Sequence, residues 1–124
     1  AEAVDAANLG IPLPGGEWVT TPILLLTEFV LTFLLMAAIF GTAVDERGKA
    51  VKIGGFGIGL AVTFDILAGG PVTGASMNPA RSFGPALVHG NFDHHVMYWI
   101  APMAGAVAAA LLYHYVLLGD EGNG

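Results

Sequence analysis

Residues 69–87 read GGPVTGASMNPARSFGPAL, and this stretch decides how the rest of the chain is organised. It lies between two apolar runs, yet it carries an arginine and several glycines and prolines. Asn78 followed by Pro79 predicts a helix start, because asparagine caps free backbone N–H groups and proline is tolerated at the first helical position. A helix from there to about residue 88 is roughly 15 Å long, about half of a hydrocarbon core. The stretch therefore predicts a re-entrant half-helix.

The composition indicates a membrane protein. The chain has 124 residues, of which 55% are hydrophobic and 11% are charged, and its mean hydropathy is +0.70. These values lie outside the usual range of a soluble domain. A net charge of −6 argues against nucleic acid as a partner, and the lack of cysteine excludes disulfides and thiolate metal sites. No nucleophile is paired with a base, so we expect no enzyme activity, no catalytic residue, no metal site and no cofactor.

Three apolar runs are long enough to cross a bilayer: residues 22–44, 53–70 and 98–118. The first carries one charge, Glu28. A carboxylate within a span is costly unless it faces protein or water, so Glu28 is expected to have a functional or supporting role. The alternative is a side chain close enough to the end of the helix to reach the interface. The runs together predict an all-α membrane protein.

Small residues at four-residue intervals predict close helix packing in a membrane. Gly55 and Gly59 form such a pair in the second span. Ala101, Gly105 and Ala109 form a longer series in the third.

Charge distribution predicts the orientation. Residues 45–52 contain three of the four basic residues, so this loop is expected in the cytoplasm. Residues 1–21, rich in glycine and proline, are then an extracytoplasmic linker, the loop 69–97 is extracytoplasmic, and residues 119–124 form a cytoplasmic tail.

The connection after the half-helix contains His89, His94 and His95. Histidines can bind a metal or sense pH, but these lack helical ligand spacing, which favours a solvated polar loop. Tyr98 and Trp99 follow and are expected at the outer membrane interface.

Residues 78–85, NPARSFGP, resemble the second signature loop of the aquaporin (major intrinsic protein) family. Thr73 and Gly74 before it strengthen the resemblance, which covers nearly all of the chain from residue 21. It implies that residues 22–118 are the C-terminal half of an inverted repeat, with three transmembrane helices and one re-entrant half-helix. Residues 1–21 would then arrive from a missing first half of the same channel. The resemblance also implies a homotetramer with one pore per subunit.

A half-helix that begins near the bilayer midplane places a positive dipole end there. The non-helical loop that leads to it leaves carbonyl groups free, which is tolerated at membrane depth only beside a water-filled cavity or within protein. Such carbonyls, followed by the donor amide of Asn78, can replace the hydrogen bonds of a water molecule one at a time. The loop carbonyls are those of Gly74, Ala75, Ser76 and Met77. The half-helix starts with Asn78, Pro79 and Ala80.

Arg81 lies in the first turn of this half-helix, where its permanent charge opposes protons and cations and its N–H groups can meet a permeant oxygen. The alternative is a snorkelling or salt-bridged arginine. By resemblance, Ile66, Ala75 and Arg81 match three of the four positions of the family's narrow filter. The resemblance also implies that Glu28 accepts hydrogen bonds from backbone N–H groups of the loop.

The filter departs from that of strict water channels, which carry histidine in place of Ile66. Ser82 and Ala86, with the aromatic pair that opens the third span, are nevertheless similar to the water-selective subgroup. This combination resembles archaeal members of the family. Asp65 is a second departure, since the family commonly has a small residue there, and the sequence suggests no role for it.

These features predict a multi-pass channel of the cell membrane for passive, osmotically driven permeation of water. Small neutral solutes such as glycerol are expected to pass as well, and ions and protons to be excluded. The alternative is half of an ion-coupled secondary transporter, which also places half-helix ends at the midplane. Such a transporter needs ion-binding carboxylates, and only Glu28 and Asp65 are available in the spans.

Overall fold

The computed structural model describes residues 10–117, and within them all regular structure is helical. Residues 1–9, the first part of the expected linker, and the expected tail at 119–124 lie outside the described part. The helices are α1 (Thr21–Ile39), α2 (Glu46–Lys49), α3 (Gly54–Thr73), α4 (Pro79–His89) and α5 (Met97–Leu112). Helices α1 and α5 each continue into a wider π-helical turn, Phe40–Val44 and Tyr113–Leu117.

Three helical segments are long and apolar enough to cross a membrane: Thr21–Val44, Gly54–Thr73 and Met97–Leu117. The expected all-α membrane fold is thereby confirmed. The second segment ends three residues later than the sequence predicts. It passes through Pro71 and closes at Gly74, whose φ of +83° gives the left-handed turn that glycine adopts without strain.

The short helix α4 begins where the sequence predicts. The side chain of Asn78 accepts a hydrogen bond from the backbone N–H of Ala80 at 2.8 Å, and Pro79 occupies the first helical position. The helix has 11 residues and ends at Gly90, which is left-handed. At about 1.5 Å per residue it is roughly 16 Å long, which is too short to span a bilayer.

Helix α1 packs against both α3 and α5 through small residues. A side chain at Gly69 would meet Leu31 at 2.4 Å, and one at Gly105 would meet the carbonyl oxygen of Phe29 at 2.3 Å. The predicted packing face on the third span is therefore confirmed. A Cβ at Gly55 or Gly59 would find nothing within 4 Å among the described residues, so the close packing expected at this pair stays a prediction.

Tyr98 is buried, contrary to the expected position at the membrane interface. It is 1% exposed and packs with Val19 and Leu24. Its hydroxyl donates a hydrogen bond to the carbonyl oxygen of Thr73 at 2.5 Å. That carbonyl belongs to the last turn of α3, where the helix itself offers no donor. Trp99, the next residue, is 40% exposed.

A polar cluster fastens the ends of α1 and α5 opposite the half-helix. Asp45 caps α2 by accepting from the backbone N–H of Arg47, and both of its oxygens bond the guanidinium of the same residue. The hydroxyl of Tyr113 also donates to Asp45 at 2.8 Å. These hydrogen bonds, that of Arg47 above all, lower the pKa of Asp45 to about 2.

Candidate functional site

The loop between α3 and α4 has an unusual backbone. Ala75 and Met77 have φ values of +50° and +59°, in the left-handed region that residues with a side chain rarely adopt. Both residues are buried, as is Ser76 between them. Backbone in such conformations costs free energy and persists only where its surroundings impose it. The loop is therefore held by its contacts with the rest of the chain.

Glu28 supplies the strongest of these contacts from behind the loop. Its Oε1 accepts from the backbone N–H of Ser76 at 2.9 Å and from the hydroxyl of Thr73 at 2.7 Å. Its Oε2 accepts from the backbone N–H of Met77 at 2.8 Å. Glu28 is 0% exposed, so it does not reach an interface. The carboxylate thus binds backbone N–H groups of the loop and none of its carbonyls. Among residues 10–117 no donor reaches the loop carbonyls, which belong to Gly74, Ala75, Ser76 and Met77.

Hydroxyl groups that the sequence analysis missed tie the loop to the neighbouring helices. The Thr73 hydroxyl accepts from the backbone N–H of Ala75 at 3.2 Å. The Ser76 hydroxyl donates to the carbonyl of Asn78 at 2.9 Å and bonds the Ser82 hydroxyl in α4. Because Ser76 uses its one proton on Asn78, the Ser82 hydroxyl is the donor of that second bond. The only signal for these pairs in the sequence is the presence of small hydroxyl residues on both sides of the turn.

Arg81 extends from the first turn of α4 toward the segment that precedes α1. One guanidinium nitrogen donates to the carbonyl oxygen of Gly10 at 2.8 Å. Residues of the same segment press on the loop, since a side chain at Gly74 would meet the backbone of Pro12 at 2.9 Å. Within residues 10–117 the guanidinium thus has a neutral carbonyl as its partner, and its remaining N–H groups meet no acceptor there.

A groove of about 250 Å³ brings most of the expected site residues together. Ile66, Ala75 and Arg81 all line it, together with Asn78. Ile66 is 49% exposed, as a side chain on an open groove would be. The complete lining of the groove is Leu35, Val62, Ile66, Ala75, Ser76, Met77, Asn78 and Arg81.

A second groove of about 200 Å³ shares Leu35, Met77 and Asn78 with the first and runs along α1 and α5. Pro79 lines this second groove. The asparagine at the start of the half-helix therefore stands where the two grooves meet. Glu28 lines neither groove, since it lies on the far side of the loop.

The histidines form no cluster for a metal within residues 10–117. His95 instead accepts a hydrogen bond at its Nε2 from the indole N–H of Trp99 at 2.7 Å. Its ring also contacts Phe83 of α4 and Phe92 of the connection. This loop is packed by aromatic contacts rather than being wholly solvated.

A family model described as Major intrinsic protein matches residues 17–113. The chain belongs to the major intrinsic protein family. The resemblance inferred from residues 78–85 is thus confirmed, and the three long helices make this family member a multi-pass membrane protein.

Named relatives agree with this assignment. Probable aquaporin TIP3-2 of Oryza sativa subsp. japonica is 50% identical over 93 residues, which are 75% of this chain and 35% of that protein. Nodulin-26 of Glycine max is 47% identical over 94 residues, 76% of this chain and 34% of that protein. Aquaporin TIP2-1 of Arabidopsis thaliana is 44% identical over 95 residues, 76% and 38% respectively. The chain thus spans about a third of the length of these relatives, and the expected special likeness to archaeal members is not borne out.

Proposed function

We propose that this chain supplies half of a transmembrane channel for the passive, osmotically driven permeation of water. Small neutral solutes such as glycerol pass through the same path, and ions and protons are excluded. The observation that carries the proposal is the first groove, whose lining brings Asn78, Arg81 and the loop residues 75–77 together with apolar side chains. The names of the relatives, which include several aquaporins, support it.

The groove suits a neutral molecule that can both donate and accept hydrogen bonds. The loop carbonyls accept from its O–H groups, and the side-chain amide of Asn78 donates to its oxygen. Each exchange replaces a bond that the molecule had in bulk water, so little of the cost of dehydration remains. An ion loses far more on leaving water, and the positive end of α4 adds a further barrier for cations.

We place the selectivity filter at Ile66, Ala75 and Arg81. Arg81 is fixed at one nitrogen by the carbonyl of Gly10, which leaves its other donors for a permeant oxygen and its charge as a barrier to protons and cations. Ile66 offers no hydrogen bond but gives apolar surface along which the carbon face of a polyol can slide. An isoleucine at this place therefore favours a filter that is wider and more apolar than one that carries histidine.

Glu28 serves as the support of this path. Three donors on two oxygens hold the loop against the carboxylate. The loop carbonyls take no part in these bonds and are left for the permeant molecule. The same contacts count against the transporter alternative, because a carboxylate whose two oxygens are already occupied is not free to bind a coupling ion.

The channel is completed by a second, preceding half of the same protein. The grooves are open along one side, and the long helices carry many exposed apolar side chains beside them. We propose further that the complete subunit sits in the cell membrane as a homotetramer with one pore each. The loop 45–52 and the C-terminus then lie in the cytoplasm, and the loop 69–97 lies outside.

Osmotic shrinkage of proteoliposomes that contain the full-length protein tests the channel directly. Stopped-flow light scattering is expected to show rapid water efflux that does not depend on a sodium or proton gradient. Uptake of a solute that saturates and requires such a gradient would instead establish the transporter.

A further inference from the structure

Asp65 is the one acidic side chain of α3, and the proposed permeation path does not use it. Asp65, Gly69 and Thr73 follow one another at intervals of four residues and form a buried stripe on α3. This stripe faces α1, since Leu31 of α1 lies against Gly69. Asp65 is 5% exposed, and its Oδ2 is buried without a hydrogen-bond partner within residues 10–117. A buried carboxylate oxygen that meets no donor is unstable as an anion.

The charges around Asp65 increase this instability. Helix α1 carries a single ionisable residue, Glu28, whose charge acts on Asp65. Helix α5 contributes only Tyr98, whose hydroxyl is bound to Thr73, and α4 contributes Arg81 and His89. The Arg81 guanidinium is directed to the carbonyl of Gly10 and to the groove, which Asp65 does not line.

The two carboxyl groups can be told apart by their hydrogen bonds. Glu28 accepts from three donors at its two oxygens, and a carboxyl group that only accepts is ionised. The negative charge therefore belongs to Glu28. A second negative charge on Asp65 would lie in the same helix interface with no described cation or donor to offset it.

We propose that Asp65 is a proton-binding site, occupied in the folded protein, at which the neutral acid is the form that the interface between α1 and α3 accommodates. Release of this proton places a second anion near Glu28 and loosens the interface that supports the re-entrant loop. The proton is bound by the folded chain and released as the pH rises. Its contribution to stability is therefore fully present only at acid pH, where the unfolded chain also holds the proton, and is lost progressively as the pH rises until the folded site has emptied.

Infrared spectroscopy of the full-length protein in lipid vesicles detects this proton without relying on channel activity. The wild-type protein is expected to show, at mildly acidic pH where exposed carboxyl groups are already ionised, the carbonyl stretch of a buried protonated carboxylic acid, which ionised carboxylates lack. Asp65→Asn removes this band. Asp93→Asn, the same chemical change at an exposed loop residue, leaves it in place.

Thermal unfolding over a pH series provides the second measurement. While the folded state holds the proton and the unfolded state has released it, the folded-to-unfolded ratio falls by up to about tenfold per pH unit, and the fall ends once the folded site has emptied. This loss of stability with rising pH is expected in the wild type and in Asp93→Asn and is expected to be missing in Asp65→Asn. The amide matches the neutral acid in shape, so Asp65→Asn is expected to fold.

Three results would overturn the proposal. The first is that the protonated-acid band is absent from the wild type or persists in Asp65→Asn. The second is that Asp65→Asn loses as much stability with rising pH as the wild type does. The third is that Asp65→Asn fails to fold under conditions in which Asp93→Asn folds. None depends on whether the protein conducts water, so the proposed channel function can fail separately.

Discussion

Replacing Glu28 by glutamine removes the charge behind the re-entrant loop and changes little else. The amide oxygen can keep the bonds from Thr73 and Ser76, but the NH₂ group then faces the N–H of Met77, which was bound at 2.8 Å. A hydrogen bond to a charged group contributes about 1.5–3 kcal/mol, and a buried donor left unpaired costs about 1–3 kcal/mol. The lost bond and the stranded donor are one event, so the predicted loss is about 1–3 kcal/mol, toward the upper end because the lost acceptor was charged.

The loss is measured by thermal unfolding of the purified full-length protein, with water flux by stopped-flow light scattering as the second readout. Glu46→Gln makes the same chemical change at a side chain that is 84% exposed and 3.5 Å from Lys49. Exposed ion pairs contribute at most about 1 kcal/mol, so this control is expected to resemble the wild type. If Glu28→Gln melts and conducts as the control does, Glu28 does not support the loop.

Three further predictions follow from the same contacts. Arg81→Val is expected to raise proton or cation leakage, measured with a pH dye and under voltage clamp, while water still passes; an unchanged leak would assign exclusion to the helix dipole. Residues 1–124 alone are expected to carry no water in liposomes, because the groove is open along one side, and flux comparable to that of the full-length protein would contradict this. Asp45 has a pKa lowered to about 2 by Arg47 and then Tyr113, against an ordinary value of 3.8. The stability that Asp45 contributes is present above about pH 4 and is lost as the pH falls toward 2, so Asp45→Asn is expected to weaken this acid dependence in thermal unfolding.

The sequence predicts those parts of the fold that depend on local chemistry. The start of α4 follows from an asparagine cap next to a proline, and the observed bond from the N–H of Ala80 is the one that such a cap makes. The long helices follow from uninterrupted apolar runs. The end of α3 is displaced because Pro71 is accommodated within the helix, whose stop is the left-handed Gly74.

Contacts between distant residues could not be predicted in the same way. Tyrosine is typical of membrane interfaces, and this led to the expectation for Tyr98. Only the position of α5 beside the end of α3 shows that its hydroxyl bonds to Thr73. Four-residue spacing of glycine likewise says that close packing is possible but does not say where a neighbour lies. Among the described residues, Gly105 has a close neighbour in α1, whereas Gly59 has no neighbour within 4 Å. The placement of Ile66 and Arg81 in one groove depends on three separate segments and follows from the tertiary structure.

The central claim is that the groove containing Ile66 is the permeation path and that this side chain sets its selectivity. The most direct test is the ratio of glycerol to water permeability in proteoliposomes, measured by stopped-flow light scattering for the wild type, Ile66→His and Ile66→Ala. Histidine narrows the groove and adds a hydrogen-bonding group, so the ratio is expected to fall while water flux is kept or raised. Alanine widens the groove, so glycerol flux and the ratio are expected to rise. If the ratio is unchanged in both variants, Ile66 does not line the constriction and the path lies elsewhere.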